Sequence, residues 1–367
     1  MKRIGITGIE GLIGWHLHVH LYGQKNSNVV TADRSTFLSK EKLDRFVTSN
    51  DVIVHLAGMN RGDEEVVAKT NIKLTKDLIS ALERTNSQPH IIFSSSIHIY
   101  RDTAYGNSKR ECTKLFRNWS EKSGALFTNL ILPNVFGESG KPFYNSVVST
   151  FCYQIANGDK PEIINDVEME QLHAQEVARE IFNIIHSSHT GDIILTSINI
   201  TVSELLKKIK NYDDTYKQHI IPELKNKFDL QLFNTYRSYL YPQKYPVQII
   251  LHKDERGTLF EAVKSLNSGQ VFISTTKPGI SRGNHYHTSK LERFFVLSGQ
   301  AEIRIRKLFS NIVHSFKVSG LRPEYIDIPT LHSHDITNTG TEELITLFWS
   351  HDLFDPKHPD TFPEIVV

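Results

Sequence analysis

A doubly wound parallel α/β sheet followed by a smaller all-β domain is the fold class the sequence predicts, and three observations predict it. A short apolar strand at the N-terminus runs directly into Gly8-Ile-Glu-Gly11-Leu-Ile-Gly14 and then into a helical pattern over 12–21. Further buried-strand patterns at 29–32, 51–56, 91–93 and 126–132 alternate with helix-length stretches. Past Tyr-Pro-Gln-Lys-Tyr-Pro, which ends at Pro246, the chain turns to short alternating apolar segments without long helices. Prolines deny continuing helix and strand alike, so this stretch reads as a linker between a nucleotide-binding part, 1–243, and a β part, 244–367.

The bulk properties agree with two domains. A chain of 367 residues exceeds one ordinary core. Its formal net charge of +1 gives no argument for nucleic acid or an anionic membrane surface. Cys112 and Cys152 are the only cysteines and are read as core residues, which supports neither a disulfide framework nor a thiolate zinc site. The sequence enters a strand pattern at once and no apolar run reaches membrane-span length, so a cytoplasmic protein is expected.

Taken in order, Gly8, Gly11 and Gly14 permit close backbone approach, and the helix that opens at Leu12 and Ile13 attracts a dinucleotide pyrophosphate to its N-terminus. The second strand ends at Asp33-Arg34, where the adenosine ribose should lie. An acid there favours NAD and an arginine greets the 2′-phosphate of NADP, so these neighbours point opposite ways. Leu56, Ala57 and Gly58 form a small-residue turn that lets a cofactor lie close. Asn71 is read as opening a helix to about residue 83, its amide either capping that helix or bracing the active-site strand.

The stretch 94–109 carries the chemistry. Tyr105 and Lys109 stand at i and i+4, so a helix starting near Ala104 puts phenol and ammonium on one face. A nearby ammonium is expected to lower the phenol pKa from its usual value of about 10. Such a tyrosine exchanges a proton with an alcohol or ketone, and Ser96, at the end of the preceding strand, can hold the same oxygen. From the next strand, Pro133-Asn-Val-Phe-Gly137 turns toward the substrate cleft.

Together these motifs resemble the extended short-chain dehydrogenases/reductases, which have a Rossmann-like sheet. The resemblance covers roughly residues 1 to 240, including Leu-His-Ala-Gln-Glu-Val-Ala at 172–178 and Thr-Val-Ser-Glu-Leu at 201–205, which match substrate-lobe elements. It implies that Gly8, Gly11 and Gly14 hold the pyrophosphate, that Ser96 and Tyr105 hold the substrate oxygen, and that Lys109 serves the ribose and the tyrosine. The cofactor set extends to Leu12, Ile13, Asp33, Arg34, Leu56, Ala57, Gly58, Asn71 and Pro133. The gap from Ser96 to Tyr105 is shorter than that family usually has, which leaves the placement of Tyr105 open.

In the β part, His285, His287 and Glu292 are joined later by His332 and His334. Residues i and i+2 of a strand point the same way, so each histidine pair can converge. Imidazoles with one carboxylate suit zinc, iron or another divalent first-row ion. The spacing Gly279, His285, His287, Glu292, Gly299 resembles the first motif of a cupin barrel. The second motif, within 329–338, fits either His334 or His332. Asp-Glu-Arg-Gly at 254–257 and Arg282-Gly-Asn-His285-Tyr286 are also similar to the metal-independent nucleotide-sugar 3,5-epimerases, where the matching histidine is a base. His285 thus has two roles on offer; with a metal on it, Tyr286 or an unliganded histidine is left to move the proton.

The whole chain resembles the bifunctional capsule-biosynthesis enzymes of the CapF type. That resemblance implies NADPH, a divalent metal such as zinc, and a homodimer. It implies C3 epimerisation of a UDP-4-keto-6-deoxy-N-acetylhexosamine and reduction of its C4 ketone to UDP-2-acetamido-2,6-dideoxy-L-talose. Two alternatives stand beside it: an epimerase or dehydratase that recycles a bound NAD, and a cofactor-sensing binding protein with a structural cupin.

Overall fold

The computed structural model describes residues 2–24 and 28–367. By compactness the chain divides into residues up to 150 with 163–203, and residues 151–162 with 204–367. The Tyr-Pro stretch at 241–246 lies inside the second unit.

The first unit contains β1 (Arg3–Thr7), α1 (Leu12–Gly23), β2 (Asn28–Ala32), α2 (Arg34–Phe37), α3 (Lys40–Thr48), β3 (Val52–His55), α4 (Glu64–Thr85), β4 (His90–Ser96), α5 (Ala104–Ser123), β5 (Phe127–Leu132) and β6 (Asn134–Phe136). After α6 (Val147–Asn157) come β7 (Glu168–His173), α7 (Ala174–Ser187), β8 (Gly191–Ile194) and β9 (Ile198–Thr201). Six strands form one parallel sheet in the order β2-β1-β3-β4-β5-β8, the expected Rossmann-like arrangement. Successive strand residues feed opposite faces. Ile4, Ile6, Val54 and Ile92 pack with Leu17 and Ile181 on one side, while Ile53, Ile91 and Phe93 pack with Leu78, Leu82 and Phe116 on the other. A separate sheet, β6-β7-β9, stands beside the carboxyl edge residues that follow β5.

Local signals set the helix bounds. Asp63 caps α4, accepting from Glu65 and Val66 N–H, and Asn86 closes it in the left-handed region at φ 52°. The helix expected to open at Asn71 therefore begins at Glu64, with Asn71 buried in its interior. Thr103 caps α5 and Gly124 ends it at φ 77°.

In the second unit, α8 (Val202–Tyr216), β10 (Ile220–Ile221) and α9 (Lys227–Ser238) precede the β domain. Its strands are β11 (Val247–Gln248), β12 (His252–Asp254), β13 (Gly257–Leu259), β14 (Lys264–Ser265), β15 (Gln270–Thr276), β16 (Ser281–Tyr286), β17 (Glu292–Ser298), β18 (Gln300–Lys307), β19 (Val313–Ser319), β20 (Glu324–Ile328), β21 (His332–Asn338), β22 (Leu344–Ser350) and β23 (Phe362–Pro363). Two five-stranded antiparallel sheets, β11-β20-β17-β22-β15 and β19-β18-β21-β16-β23, share an apolar core of Phe294, Val296, Ile303, Ile305, Ile326 and Ile336. The helices join this domain through a buried charge pair. Arg293 binds both carboxylate oxygens of Asp327 at 2.7 and 2.9 Å, and Asp327 also accepts from the Tyr216 hydroxyl. No helix among the described residues is long and apolar enough to cross a membrane.

Candidate functional site

The first site is a cleft of about 570 Å³ at the carboxyl edge of the parallel sheet. Gly8 turns the chain off β1 at φ 72°, and a Cβ there would lie 2.7 Å from the Ala57 backbone nitrogen. Thr7 braces the same junction: its hydroxyl oxygen accepts from Leu56 N–H at 3.1 Å and Ala57 N–H at 3.0 Å. Gly8, Gly11, Leu12, Ile13, Gly14, Leu56, Gly58, Ser96, Tyr105, Lys109 and Pro133 all line the cleft. Ala57, Asn71, Asp33 and Arg34 lie outside its lining.

The structure resolves the two readings of Asn71. Its side chain accepts from Met59 N–H at 2.7 Å and donates to Met59 C=O at 2.8 Å, so it braces the turn after β3 rather than capping a helix. Asp33 is the residue that caps: it begins α2, accepting from Thr36 N–H at 2.9 Å and from the Ser35 and Thr36 hydroxyls at 2.8 and 3.0 Å.

The short gap before Tyr105 is closed by a single 3₁₀ turn, Ile97–Tyr100, held by the Ser96 hydroxyl oxygen accepting from His98 N–H at 3.3 Å. Gly106 packs directly over that turn, where a Cβ would clash with the His98 and Arg101 carbonyl oxygens. Tyr105 is thereby delivered to Ser96 without the longer loop. Its pKa is not lowered as the spacing suggested: burial pushes the phenol up to about 12, with the Ser96 hydrogen bond opposing. Lys109 accounts for the difference. Its ammonium donates to the Ser94 carbonyl at 2.7 Å and stands 5.8 Å from the Tyr105 ring centroid, while burial draws its own pKa down to about 8. His98 also lines the cleft, its ring 5.8 Å from that of Tyr105. Sequence reasoning passed over it, and its position two residues beyond Ser96 was the available signal.

The second site lies in the β domain. His285, His287, Glu292 and His334 each offer one ligand atom, all within 4.8 Å of one another. His334 sits opposite His285 in the β16–β21 pairing, and a bulge between Gly283 and His285 sets that register. His332, also expected as a ligand, stands outside the group. It pairs with Lys307 at the start of β21, its Nδ1 lies 2.8 Å from the Thr330 carbonyl, and its ring packs edge-on against Tyr241. Tyr286 is a correction as well. It is the last residue of β16, next to His285, so it faces the other way and stacks on Phe362 at 5.1 Å.

The donor set fits a cation. His287 directs Nδ1 at the Asp360 carbonyl, 2.6 Å away, and Nε2 at a Glu292 oxygen, 2.9 Å away. Both partners are acceptors, so Nε2 needs either a second proton or a metal. Burial opposes charge on His287, but Glu292 and Asp360 outweigh it and raise its pKa; burial likewise opposes Glu292 ionisation, yet the imidazoles hold its carboxyl well below the usual range. His285 is drawn down to about 3, chiefly by burial and then by its neighbouring histidines, which leaves a neutral ligand nitrogen. His334 Nε2 is buried without a hydrogen-bond partner, 3.6 Å from Glu292.

Comparison with known proteins gives matches along the whole chain. Residues 4–196 match the NAD dependent epimerase/dehydratase family, and residues 252–362 match the polysaccharide biosynthesis C-terminal domain. The UDP-2-acetamido-2,6-beta-L-arabino-hexul-4-ose reductase of Pseudomonas aeruginosa is 31% identical over 366 residues, 98% of each chain. The crystal structure of the capsular polysaccharide assembling protein CapF from Staphylococcus aureus is 32% identical and superposes with a TM-score of 0.66 over 99% of this chain and 100% of that one. The UDP-N-acetylglucosamine 4-epimerase of Methanobrevibacter ruminantium, 20% identical with a TM-score of 0.55 over 65% of this chain and 98% of its own, shares the fold.

Proposed function

Because this chain belongs to the NAD-dependent epimerase/dehydratase family, with a polysaccharide-biosynthesis domain behind it as in CapF-type proteins, we propose that it is a bifunctional nucleotide-sugar reductase and epimerase of capsule biosynthesis. The substrate of this reading is a UDP-4-keto-6-deoxy-N-acetylhexosamine and the product UDP-2-acetamido-2,6-dideoxy-L-talose. Residues 1–243 carry the reduction and 244–367, a cupin, the C3 epimerisation. The observation that carries the reading is the convergence of Ser96, Tyr105 and Lys109 on the glycine-lined cleft.

NADPH, when bound, supplies the hydride to C4. Ser96 and Tyr105 hold the carbonyl oxygen, and Tyr105 delivers the proton that makes it a hydroxyl. A phenol that stays protonated over the working pH range is fit to donate, and Lys109, held to the Ser94 carbonyl, is left to serve the cofactor side of the cleft. In the β domain, His285, His287, Glu292 and His334 hold a divalent metal, and zinc suits three imidazoles and one carboxylate. A metal held by these four residues would supply Lewis acidity, which polarises a sugar ketone and acidifies the neighbouring C3–H. The two reactions share one ketone: epimerisation needs it, and reduction removes it and so traps the epimer.

A homodimer belongs to the same reading. The edge strand β15 leaves Val271, Phe272 and Ile273 exposed, which supports coverage by a second copy.

The test is incubation with NADPH and the keto sugar in heavy water. NADPH oxidation with deuterium at C3 is expected. Oxidation without deuterium leaves a reductase alone, and no oxidation of NADPH or NADH overturns the reductase reading in favour of a recycled or merely sensed cofactor.

A further inference from the structure

We propose that the carboxyl-terminal segment is a clasp for the histidine centre, with Asp360 as the positioning residue that presets His287 to bind through Nε2. The metal half of this inference rests on the reading of His285, His287, Glu292 and His334 as a metal site.

Asp360 has an unusual concentration of bonds on one turn. One carboxylate oxygen accepts from Thr288 N–H at 2.9 Å and the Thr288 hydroxyl at 2.5 Å. The other accepts from Ser289 N–H and the Ser289 hydroxyl, both at 2.9 Å, and from Lys290 N–H at 2.8 Å. Its backbone carbonyl meets His287 Nδ1 at 2.6 Å. Asp360 holds φ at 42°, in the left-handed region, so the backbone is turned to serve side chain and carbonyl at once.

The residues after it continue the grip. Phe362 and Pro363 pair with Tyr286 and His285, and Glu364 N–H donates to Asn284 C=O at 2.9 Å. Arg306 donates to the carbonyls of Ile365 and Val366 at 2.6 and 2.8 Å, and Ser333 donates to Glu364 C=O at 2.5 Å. The segment thus lies along β16, which carries His285 and leads into His287, and is pinned to β21 and β18 of the same sheet.

The chemistry follows from the carbonyl. A carbonyl only accepts, so His287 Nδ1 carries a proton and Nε2 is the nitrogen left for a cation. Without the Asp360 carboxylate the 288–290 turn loses its anchor, the carbonyl drifts, and the ring is free to rotate or change tautomer. Such outer-shell partners typically change metal affinity 10- to 100-fold.

The test uses the full-length protein, D360A and S333A. S333A releases another tie of the same segment without touching His287. Zinc affinity by chelator competition is expected to fall on the order of 10- to 100-fold in D360A, with NADPH binding unchanged, and to hold near the wild-type value in S333A. In metal-free protein, where Nε2 also faces the Glu292 carboxylate, the ¹H–¹⁵N spectrum is expected to show a hydrogen-bonded, exchange-protected Nδ1–H of His287 in the wild type and loss of that protection in D360A. Wild-type affinity in D360A, an equal loss in S333A, or an unchanged His287 spectrum overturns the proposal. Should D360A not fold, D360N, which keeps the shape and one acceptor oxygen, is read in both assays and is expected to move in the same direction by less; no movement in either overturns it. If the wild type takes up no zinc, the metal reading fails, while the histidine spectrum still decides what Asp360 does.

Discussion

The cleft and the histidine centre handle burial in opposite ways. In the cleft, burial disfavours charge on both side chains: Tyr105 is pushed up to about 12 and Lys109 down to about 8, and the ammonium is tied to a carbonyl rather than to an anion. In the β domain, burial works against charge on Glu292 and His287 and loses, because each group supplies the other's counter-charge at 2.9 Å. A buried group without a counter-charge is pushed toward its neutral form, whereas a buried acid and base that face each other hold their charges. The assembly differs too. Ser96, Tyr105 and Lys109 come from one strand end and the next helix, whereas the histidine centre draws on β16, β17, β21 and a carbonyl at 360.

The sharpest way to break this contrast is Tyr105→Phe, which removes the only hydroxyl the proposed reduction uses as acid. NADPH oxidation with the keto sugar is expected to fall on the order of 10²- to 10⁴-fold, followed by absorbance, while zinc uptake stays at the wild-type level. Loss of zinc in the same variant would mean the sites are not independent. The reciprocal change is Glu292→Gln, which strips the buried anion and leaves the imidazoles. Zinc binding and deuterium exchange at C3 are expected to drop by on the order of 10²-fold, with NADPH binding by calorimetry intact.

A smaller effect separates the two electrostatic regimes through pH. Lys109 is buried and its folded-state pKa is lowered from 10.5 to about 8, so the unfolded chain binds more protons than the folded one between those values. Stability from this group is fully present above about 10.5 and is lost as pH falls through about 8, an effect of about 3 kcal/mol. Urea melts of cofactor-free protein are expected to show the wild type gaining on Lys109→Met as pH rises from 8 to 10. A difference that stays flat over that interval would show the ammonium to be solvated.

The contrast also explains what could be read from the sequence. Sheet, glycine turn and the common helix face of Tyr105 and Lys109 were legible because each is local: strand–glycine–helix fixes the first turn, and the i, i+4 spacing fixes the face. Placement of Tyr105 was less legible, since it depends on a 3₁₀ turn and on Gly106 packing over it. The pKa expectation failed because i, i+4 spacing says two groups share a face but not that the ammonium turns to Ser94. In the β domain, residue types and period-2 spacing found the histidines, yet only strand register separates His334, opposite His285, from His332, beside Tyr241. Tyr286 was misjudged against the same period, which turns it away from its neighbours. Asp360 carried no sequence signal, because a carbonyl that holds a ligand can belong to any residue.

The smallest predicted effect concerns the pair the sequence left in conflict. Asp33 and Arg34 argue for opposite cofactors only if both side chains are available to the adenosine ribose. Asp33 accepts three hydrogen bonds on Oδ1 as the cap of α2, and those bonds draw its pKa below the usual carboxylate value, so turning the carboxylate toward the ribose competes with the cap. Arg34, next to it and exposed, carries a charge suited to a 2′-phosphate. On this argument Arg34→Ala lowers kcat/KM for NADPH by about 10-fold, the ~1.4 kcal/mol expected of one exposed charge-assisted contact, and leaves NADH unchanged. Asp33→Ala, by contrast, weakens the helix start without changing the NADPH-to-NADH ratio. A ratio that moves with Asp33 and not with Arg34 would reverse the assignment and make the enzyme NADH-dependent, with the cap yielding to the ribose when cofactor binds.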